Sequence, residues 1–277
     1  MTGNKILDTI VVRTREDVAV RKRLVNERDL RSFDAYHHPR RDFGAALVTP
    51  DSVSVIAEIK KASPSRGIIR SDFNAVSIAR TYERHGASAV SVLTDEPFFQ
   101  GSLSYLRDVS SVSAIPVLRK DFIMDPYQVT EARAYGADAV LLIVRILDDS
   151  QLMELHAAAA EEGLQVLTEC YDRQDWDRLD FDMVTIAGVN NRNLDTFEVD
   201  LHRGVSLLAT APEGVVRVSE SGLSTREDMA YLQKHGIHSA LIGEHFMRAE
   251  DPGAELSNLT RKESICNYKN QTARTKP

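Results

Sequence analysis

Four short apolar segments of the sequence end in charged residues, and these charges are the first candidates for chemistry. In the segment VSVIAEIK, Glu58 and Lys60 lie at the end and share one side of an extended chain with Ile56. The segments IPVLRK, LQVLTE and GVVRVSE end in Lys120, Glu169 and Glu220. If all four segments are strands of one parallel sheet, two ammonium groups and three carboxylates meet at one edge of it.

A charge at the end of a strand often marks only the start of a solvated loop, and this interpretation applies to each of the five residues taken singly. It fits the whole set less well, because a charge in a partly dehydrated site costs several kcal/mol unless an opposite charge pairs with it. Pairing keeps lysine protonated and glutamate ionised at neutral pH, the forms in which lysine donates a proton and glutamate accepts one. The segments therefore predict a site that holds both an acid and a base.

Three further loops offer groups that bind polar or anionic ligands. GVNNRNL (188–194) contains Asn190 and Arg192, an amide and a guanidinium that can hold a hydroxyl and a carboxylate, although asparagine-rich turns also form for conformational reasons alone. SESGLST (219–225) and LIGEHF (241–246) place glycines where barrel proteins bind phosphate through backbone N–H groups. We therefore expect a phosphorylated small molecule as the ligand.

From residue 52 onward, short segments rich in Val and Ile alternate with stretches of helical periodicity, which is typical of repeated βα units. We count eight such apolar segments, at 53–60, 88–94, 115–120, 138–144, 164–169, 182–188, 214–220 and 238–243. Eight units in about 200 residues predict an α/β protein with a (β/α)8 TIM barrel and an N-terminal helical extension. The predicted domains are the extension (1–50), the catalytic barrel (51–260) and a polar, flexible tail (261–277).

Composition excludes several classes of protein. The chain of 277 residues carries 34 basic and 41 acidic residues and a formal charge of −7, so no overall positive field exists to bind nucleic acid or an anionic membrane. Its two cysteines, Cys170 and Cys266, have no metal-site spacing, and no nucleotide-binding glycine motif is present. The sequence predicts a cytoplasmic enzyme, monomer or homodimer, without a metal or cofactor.

In their order along the chain, these residues resemble the indole-3-glycerol phosphate synthase family of tryptophan biosynthesis. The matching segments are EIKKASPSRG (58–67), SVLTDEPFFQGS (91–102), PVLRKDFI (116–123), LLIV (141–144), LTE (167–169), GVNNRNL, SESG and LIGE. The resemblance covers about residues 5 to 259. It implies ring closure, decarboxylation and dehydration of 1-(2-carboxyphenylamino)-1-deoxyribulose 5-phosphate to indole-3-glycerol phosphate, CO2 and water, without a cofactor.

The resemblance also implies a role for each site residue. Lys120 would be the general acid that protonates the carbonyl oxygen of the sugar-derived chain, and Glu169 would act in the dehydration, assisted by Glu58 and Lys60. Asn190 and Glu220 would orient the substrate hydroxyls and the lysines. The implied substrate contacts are Ser63, Lys60 and Arg192 for the anthranilate carboxylate, Phe99 and Phe122 for the aromatic ring, and Ser221, Gly222, Leu223, Gly243 and Glu244 for the phosphate.

Two other functions are compatible with the residues. One is another phosphosugar barrel enzyme, either an isomerase or an aldolase that forms a Schiff base on Lys120 or Lys60. The other is a barrel without catalytic activity that serves as a binding module. The sequence also departs from the family pattern at His245 and Phe246, where smaller or aliphatic residues are usual, and this predicts a phosphate pocket that is tighter or gains a titratable neighbour.

Overall fold

The computed structural model describes residues 5–193, 196 and 198–261. Apart from Arg261, the predicted tail lies outside the described residues. Within them, no helix is both long and apolar enough to cross a membrane.

Eight parallel strands form a closed barrel. Each strand pairs with its neighbours in the chain, and the first strand pairs with both the second and the eighth. The strands are Ser52–Ile59, Ala89–Leu93, Val117–Lys120, Ala139–Ile143, Gln165–Cys170, Ile186–Asn190, Val216–Glu220 and Ser239–Ile242. The predicted (β/α)8 TIM barrel is confirmed.

The sixth strand begins later than its sequence predicts. The apolar segment at 182–188 favoured a strand from residue 182, but the strand begins at Ile186. The preceding residues form a turn in which Met183 and Val184 donate backbone hydrogen bonds to the carbonyl of Asp180. The Asp180 carboxylate also accepts a hydrogen bond from the backbone N–H of residue 182, which stabilises this turn against extension.

Helices follow the strands and form the outer layer. Most begin after a residue whose side chain accepts a hydrogen bond from the first turn, as Asn74 does from the backbone N–H of Ser77. Gly86 and Gly136, with φ of 93° and 87°, lie just beyond helix ends, as the sequence predicted. The helices of this layer are Ala75–Arg84, Glu96–Phe99, Leu103–Ser110, Pro126–Ala134, Asp149–Glu161, Arg173–Trp176, Leu201–Leu208, Arg226–Lys234, Glu244–Arg248 and Pro252–Thr260.

The chain before the barrel forms three α-helices and one 3-10 helix. The α-helices are Lys5–Leu24, Glu27–Leu30 and Phe43–Ala46, and the 3-10 helix is Asp34–His37. The first of these is the predicted N-terminal helix. Its first turns line the central cavity, and Arg21 near its end pairs with Glu131 at 2.9 Å. The buried Phe43 and Leu47 pack at the start of the barrel, where the Ser54 hydroxyl donates to the Leu47 carbonyl. The chain before the barrel therefore reaches from one end of the barrel to the other.

Two-residue strands extend the sheet and the first loop. Val48–Thr49 pairs antiparallel with the beginning of the first barrel strand. After that strand, Ala62–Ser63 and Gly67–Ile68 form a small antiparallel hairpin. This hairpin belongs to the loop that follows Lys60, so its geometry positions the predicted substrate contact Ser63 at the cavity.

Candidate active site

A cavity of about 480 Å³ opens at the carboxyl ends of the barrel strands. All fifteen residues predicted from the sequence line it: Glu58, Lys60, Ser63, Phe99, Lys120, Phe122, Glu169, Asn190, Arg192, Glu220, Ser221, Gly222, Leu223, Gly243 and Glu244. The structure therefore brings together every residue that the sequence proposed for the site. Their contacts show what each can do.

Two ion pairs organise the acidic and basic groups. Lys60 Nζ lies 2.5 Å from Glu58 Oε2, within one strand end, and Lys120 Nζ lies 3.3 Å from Glu169 Oε2, across the barrel. Each carboxylate is only 6% exposed and each lysine 16%. The expected pairing of acid and base is present, and it leaves both ammonium groups open to the cavity on one side.

Lys120 is held in its protonated form. Burial disfavours its charge, but the negative charges of Glu169, Glu220 and Glu58 outweigh burial and raise the pKa of Lys120 above its usual value. The ammonium group therefore stays charged at neutral pH. It is available as a proton donor and not as a neutral amine nucleophile.

The carboxylates differ in their electrostatics. Burial opposes the ionisation of Glu58, but Lys60 and Lys120 together hold its pKa below the usual range. Glu220 behaves oppositely, because burial and the neighbouring Glu169 raise its pKa well above that of an ordinary glutamate. This departs from the expectation that pairing keeps every carboxylate of the site ionised. The reason is geometric, since the two lysines pair directly with Glu58 and Glu169 instead.

Asn190 connects the fifth and sixth strands. Its side-chain nitrogen lies 3.4 Å from Glu169 Oε1, and its side-chain oxygen accepts a hydrogen bond from the backbone N–H of Arg192 at 3.0 Å. Arg203 donates to the backbone carbonyls of Asn190 and Tyr171 and stacks on the Tyr171 ring, with its guanidinium carbon 4.0 Å from the ring centroid. Glu169 and Asn190 are thereby fixed relative to each other.

Two glycines make room for two carboxylates of the cavity. A Cβ atom on Gly188 would lie 2.4 Å from Glu220 Oε1, and one on Gly243 would lie 2.1 Å from Glu58 Oε2. Both distances are far below van der Waals contact, so any side chain at either position displaces a carboxylate. This role of the two glycines was not predicted from the sequence, although a glycine within or just after a barrel strand indicates a close approach of this kind.

The rim of the cavity carries three arginines around one carboxylate. Glu244 pairs with Arg66 at 3.4 Å, with Arg192 at 3.7 Å and with Arg248 at 3.6 Å. Sequence reasoning found Arg192 but missed the other two, because their approach depends on how two loops fold towards each other. Ser221, next to this group, adopts a left-handed conformation with φ of 70°.

Apolar side chains form one wall of the cavity. The rings of Phe99 and Phe122 have centroids 6.0 Å apart and are inclined by 37°. Ile6, Leu7 and Ile10 of the N-terminal helix also line the cavity. This wall suits a flat aromatic group, while the ion pairs and arginines suit anionic groups on the same molecule.

The family of the chain follows from its sequence taken as a whole. A family profile described as Indole-3-glycerol phosphate synthase matches residues 7–259. The chain belongs to the indole-3-glycerol phosphate synthase family. The resemblance stated from the sequence motifs is thus confirmed, and the chain is a carboxy-lyase of tryptophan biosynthesis.

Curated relatives of the indole-3-glycerol phosphate synthase family match nearly the full chain. The indole-3-glycerol phosphate synthase of Salinibacter ruber is 49% identical over 255 residues, 92% of this chain and 94% of the relative. That of Neisseria gonorrhoeae strain NCCP11945 is 47% identical over 257 residues, covering 92% and 98%. That of Rhodopirellula baltica is 47% identical over 246 residues, covering 89% and 95%.

Solved structures support the fold at low sequence identity. A mutant tryptophan synthase alpha-subunit from Pyrococcus furiosus superposes with a TM-score of 0.59 at 15% identity, covering 76% of this chain and 98% of that one. A 3-hexulose-6-phosphate synthase gives 0.60 at 18% identity, covering 75% and 98%. At this level of identity, these similarities show only that the barrel fold is shared.

The two departures from the indole-3-glycerol phosphate synthase pattern have different outcomes. Phe246 is fully buried, packs against Tyr82 with ring centroids 5.8 Å apart, and does not line the cavity. The expectation that it tightens the phosphate pocket is therefore wrong for this residue, because its side chain points into the helix layer. His245 does line the cavity, and its Nε2 lies 2.8 Å from Glu255 Oε1.

Other lining residues were not predicted from the sequence. Several are apolar residues of the strands, and alternation along each strand was the signal that could have found them. Metal binding has no support among residues 5–193, 196 and 198–261, where no three His, Cys, Asp or Glu side chains are grouped to hold an ion. The additional lining residues include Pro64, Ser65, Leu93, Asp121, Leu141, Ile143, Ser224, Leu241, Ile242 and Arg248.

We predict that Gly243→Ala lowers kcat of the synthase at least ~10-fold. The expected loss arises because the added Cβ displaces Glu58 and breaks its pair with Lys60. A displacement of about 1 Å in an active site is enough for losses of this order. The measurement is steady-state kinetics of the purified variant.

Gly44→Ala is the matched control for this prediction. Gly44 lies at the opposite end of the barrel, where an added Cβ meets the flexible side chain of Gln165 at 3.0 Å. Its kcat should equal that of the wild type. If Gly243→Ala also keeps the wild-type kcat and KM, the close packing of Glu58 against this glycine has no catalytic importance.

Proposed function

We propose that this cavity converts 1-(2-carboxyphenylamino)-1-deoxyribulose 5-phosphate to indole-3-glycerol phosphate, CO2 and water. The observation that carries the proposal is the position of the Lys120 ammonium group, which lies 3.3 Å from Glu169 and lines a cavity with an apolar wall. An ammonium group in that setting can protonate the strongly basic alkoxide that develops when the carbonyl carbon is attacked. Glu169, which pairs with this ammonium group, can accept the proton that dehydration releases.

The first step is ring closure. Lys120 donates its proton to the carbonyl oxygen of the sugar-derived chain while the ring carbon that bears the carboxylate attacks the carbonyl carbon. A carbon–carbon bond forms, the carbonyl becomes a hydroxyl group, and the aromatic ring loses its aromaticity. Because the developing alkoxide is neutralised as it forms, the barrier falls by the amount that general acid catalysis provides.

The second step is loss of CO2 and the third is dehydration. The carbon–carboxylate bond breaks and its electron pair restores the aromatic ring, so the ring itself supplies the driving force. Glu169 then removes a proton from the closed ring system while the hydroxyl group leaves as water, and Lys60, paired with Glu58, supplies the proton for the leaving group. These steps consume no electrons from outside, and we propose that the reaction needs no metal or cofactor.

The family resemblance and the groups that line the cavity support one orientation of the substrate. We place the aromatic ring against Phe99 and Phe122 and the phosphate at the Ser221–Gly222 turn, with Leu223, Gly243 and Glu244 beside it. The anthranilate carboxylate faces Arg192, with Lys60 and Ser63 next to it. Arg192 also pairs with Glu244 at 3.7 Å, so binding of the anthranilate carboxylate exchanges one carboxylate partner of Arg192 for another.

A Schiff-base aldolase is the alternative that the electrostatics disfavour. Such an enzyme needs a neutral lysine, but three carboxylates around Lys120 raise its pKa. Treating the protein and substrate with borohydride should therefore leave the protein mass, measured by intact mass spectrometry, unchanged.

Three features stay predictions from the sequence. They are the domain limits, the cytoplasmic location and the oligomeric state, monomer or homodimer.

The test of the proposed function is turnover by the purified protein in the presence of a chelator. Indole-3-glycerol phosphate is fluorescent and the substrate is not an indole, so product formation is followed directly. We expect equal rates with and without the chelator. Turnover that stops when the chelator is added would refute metal independence, and a folded protein that forms no product would refute the reaction itself.

A further inference from the structure

Asn191, the neighbour of the predicted Asn190, does not line the cavity but bonds to the turn that does. Its side chain is only 1% exposed. The side-chain nitrogen donates to the Ser219 hydroxyl at 2.9 Å and to the Ser221 carbonyl at 3.0 Å, and these two bonds use both of its protons. Its backbone N–H donates to the carbonyl of Glu220 at 2.8 Å. One residue thus bonds to three consecutive residues at the end of the seventh strand.

The turn that Asn191 holds has an unfavourable backbone. Ser221 and Gly222 both adopt positive φ, 70° and 75°, and this left-handed conformation is unfavourable for a serine. The bond to the Ser221 carbonyl offsets that cost in this conformation only. It also fixes the orientation of the peptide between the two residues. In a trans peptide the N–H points opposite to the carbonyl, so the Gly222 N–H points away from Asn191.

Neighbouring residues pack closely around the Asn191 side chain. A Cβ atom on Gly204, in the helix Leu201–Leu208, would lie 1.9 Å from Asn191 Oδ1. The backbone carbonyl of Asn191 also accepts a hydrogen bond from Asp200 N–H at 3.0 Å. The side chain is therefore enclosed between a helix and the turn, and its carboxamide has one orientation in which both nitrogen protons are used.

From this arrangement we propose that Asn191 is a positioning residue that aims the Gly222 N–H at the phosphate group of the substrate. The inference rests on the proposed function, in which the Ser221–Gly222 turn receives that phosphate. Asn191 itself touches no substrate. It acts by holding the peptide whose N–H faces the cavity, while its backbone bond keeps the strand end at Glu220 in register.

The test compares phosphate binding with catalysis in three variants. Asn191→Ala removes both side-chain bonds, and Gly204→Ala displaces the carboxamide without removing it. Ser54→Ala, which loses a buried hydroxyl bond at the opposite end of the barrel, is the control. The probes are inorganic phosphate, with binding followed by 31P NMR titration, and steady-state kinetics with the full substrate.

For Asn191→Ala and Gly204→Ala we expect the Kd of inorganic phosphate and the KM to rise about tenfold or more, while kcat changes less. Ser54→Ala should match the wild type in all three quantities. If Asn191→Ala does not fold, Gly204→Ala decides the question. A folded variant that binds phosphate as tightly as the wild type, or a wild type that binds no phosphate, overturns the inference. A wild type that binds phosphate but forms no product refutes the reaction and leaves this inference standing.

Discussion

Lys120→Met is expected to lower kcat by about 10³-fold, within the range that a general acid contributes. Methionine has a similar length but has no proton to donate, so the carbonyl oxygen is no longer protonated as the ring closes. The substitution also leaves Glu58, Glu169 and Glu220 without their shared cation, and removing one partner of a buried pair costs about 3–5 kcal/mol of stability. Kinetics must therefore be read beside a thermal unfolding curve.

Lys120→Arg separates the charge of Lys120 from its proton. Arginine keeps the cation among the three carboxylates but does not give up a proton in proteins. We expect this variant to unfold at a temperature close to that of the wild type and to be nearly as inactive as Lys120→Met. A Lys120→Arg variant with the wild-type kcat would show that the proton comes from another group.

Glu169→Gln is expected to lower kcat by about 10²-fold and to separate two steps of the reaction. Glutamine has the same shape and can still contact Asn190, but it cannot accept the proton that dehydration releases. Ring closure and decarboxylation depend on Lys120 and should proceed. In a single turnover, we therefore expect CO2 to appear faster than indole fluorescence, whereas Lys120→Met should suppress both signals together.

Glu162→Gln is the matched control for Glu169→Gln. Glu162 is as buried as Glu169, at 6% against 5% exposed, and it pairs with Arg31 outside the cavity. Replacing Glu162 by Gln should leave kcat unchanged, and CO2 release and indole formation should keep the same relative rates as in the wild type. If Glu169→Gln releases CO2 and indole product at equal rates, Glu169 has no separate role in dehydration.

The sequence predicted which strand-end residues line the cavity, because alternation along a strand determines which side chains share a face. Glu58 and Lys60, two residues apart, could be assigned to the barrel mouth for that reason, and so could Lys120 and Glu169 at the ends of their strands. The ordered motifs of the family then supplied the chemistry. Nothing in this reasoning required knowledge of how the loops fold.

Features that depend on three-dimensional packing could not be predicted in this way. The space that Gly188 leaves for Glu220 depends on the separation of neighbouring strands, and the raised pKa of Glu220 depends on its burial beside Glu169. The approach of Arg66 and Arg248 to Glu244 requires two loops to meet. In each case the sequence contains the residues, but their distances arise only when the barrel closes.

We propose that one cavity closes the ring, removes the carboxylate and dehydrates the product. The most direct measurement uses substrate labelled with 13C in the carboxylate and counts labelled CO2 against indole-3-glycerol phosphate during turnover of the wild-type enzyme. We expect one labelled CO2 for each molecule of product. Product that retains the label, or substrate consumption without an indole, would contradict it.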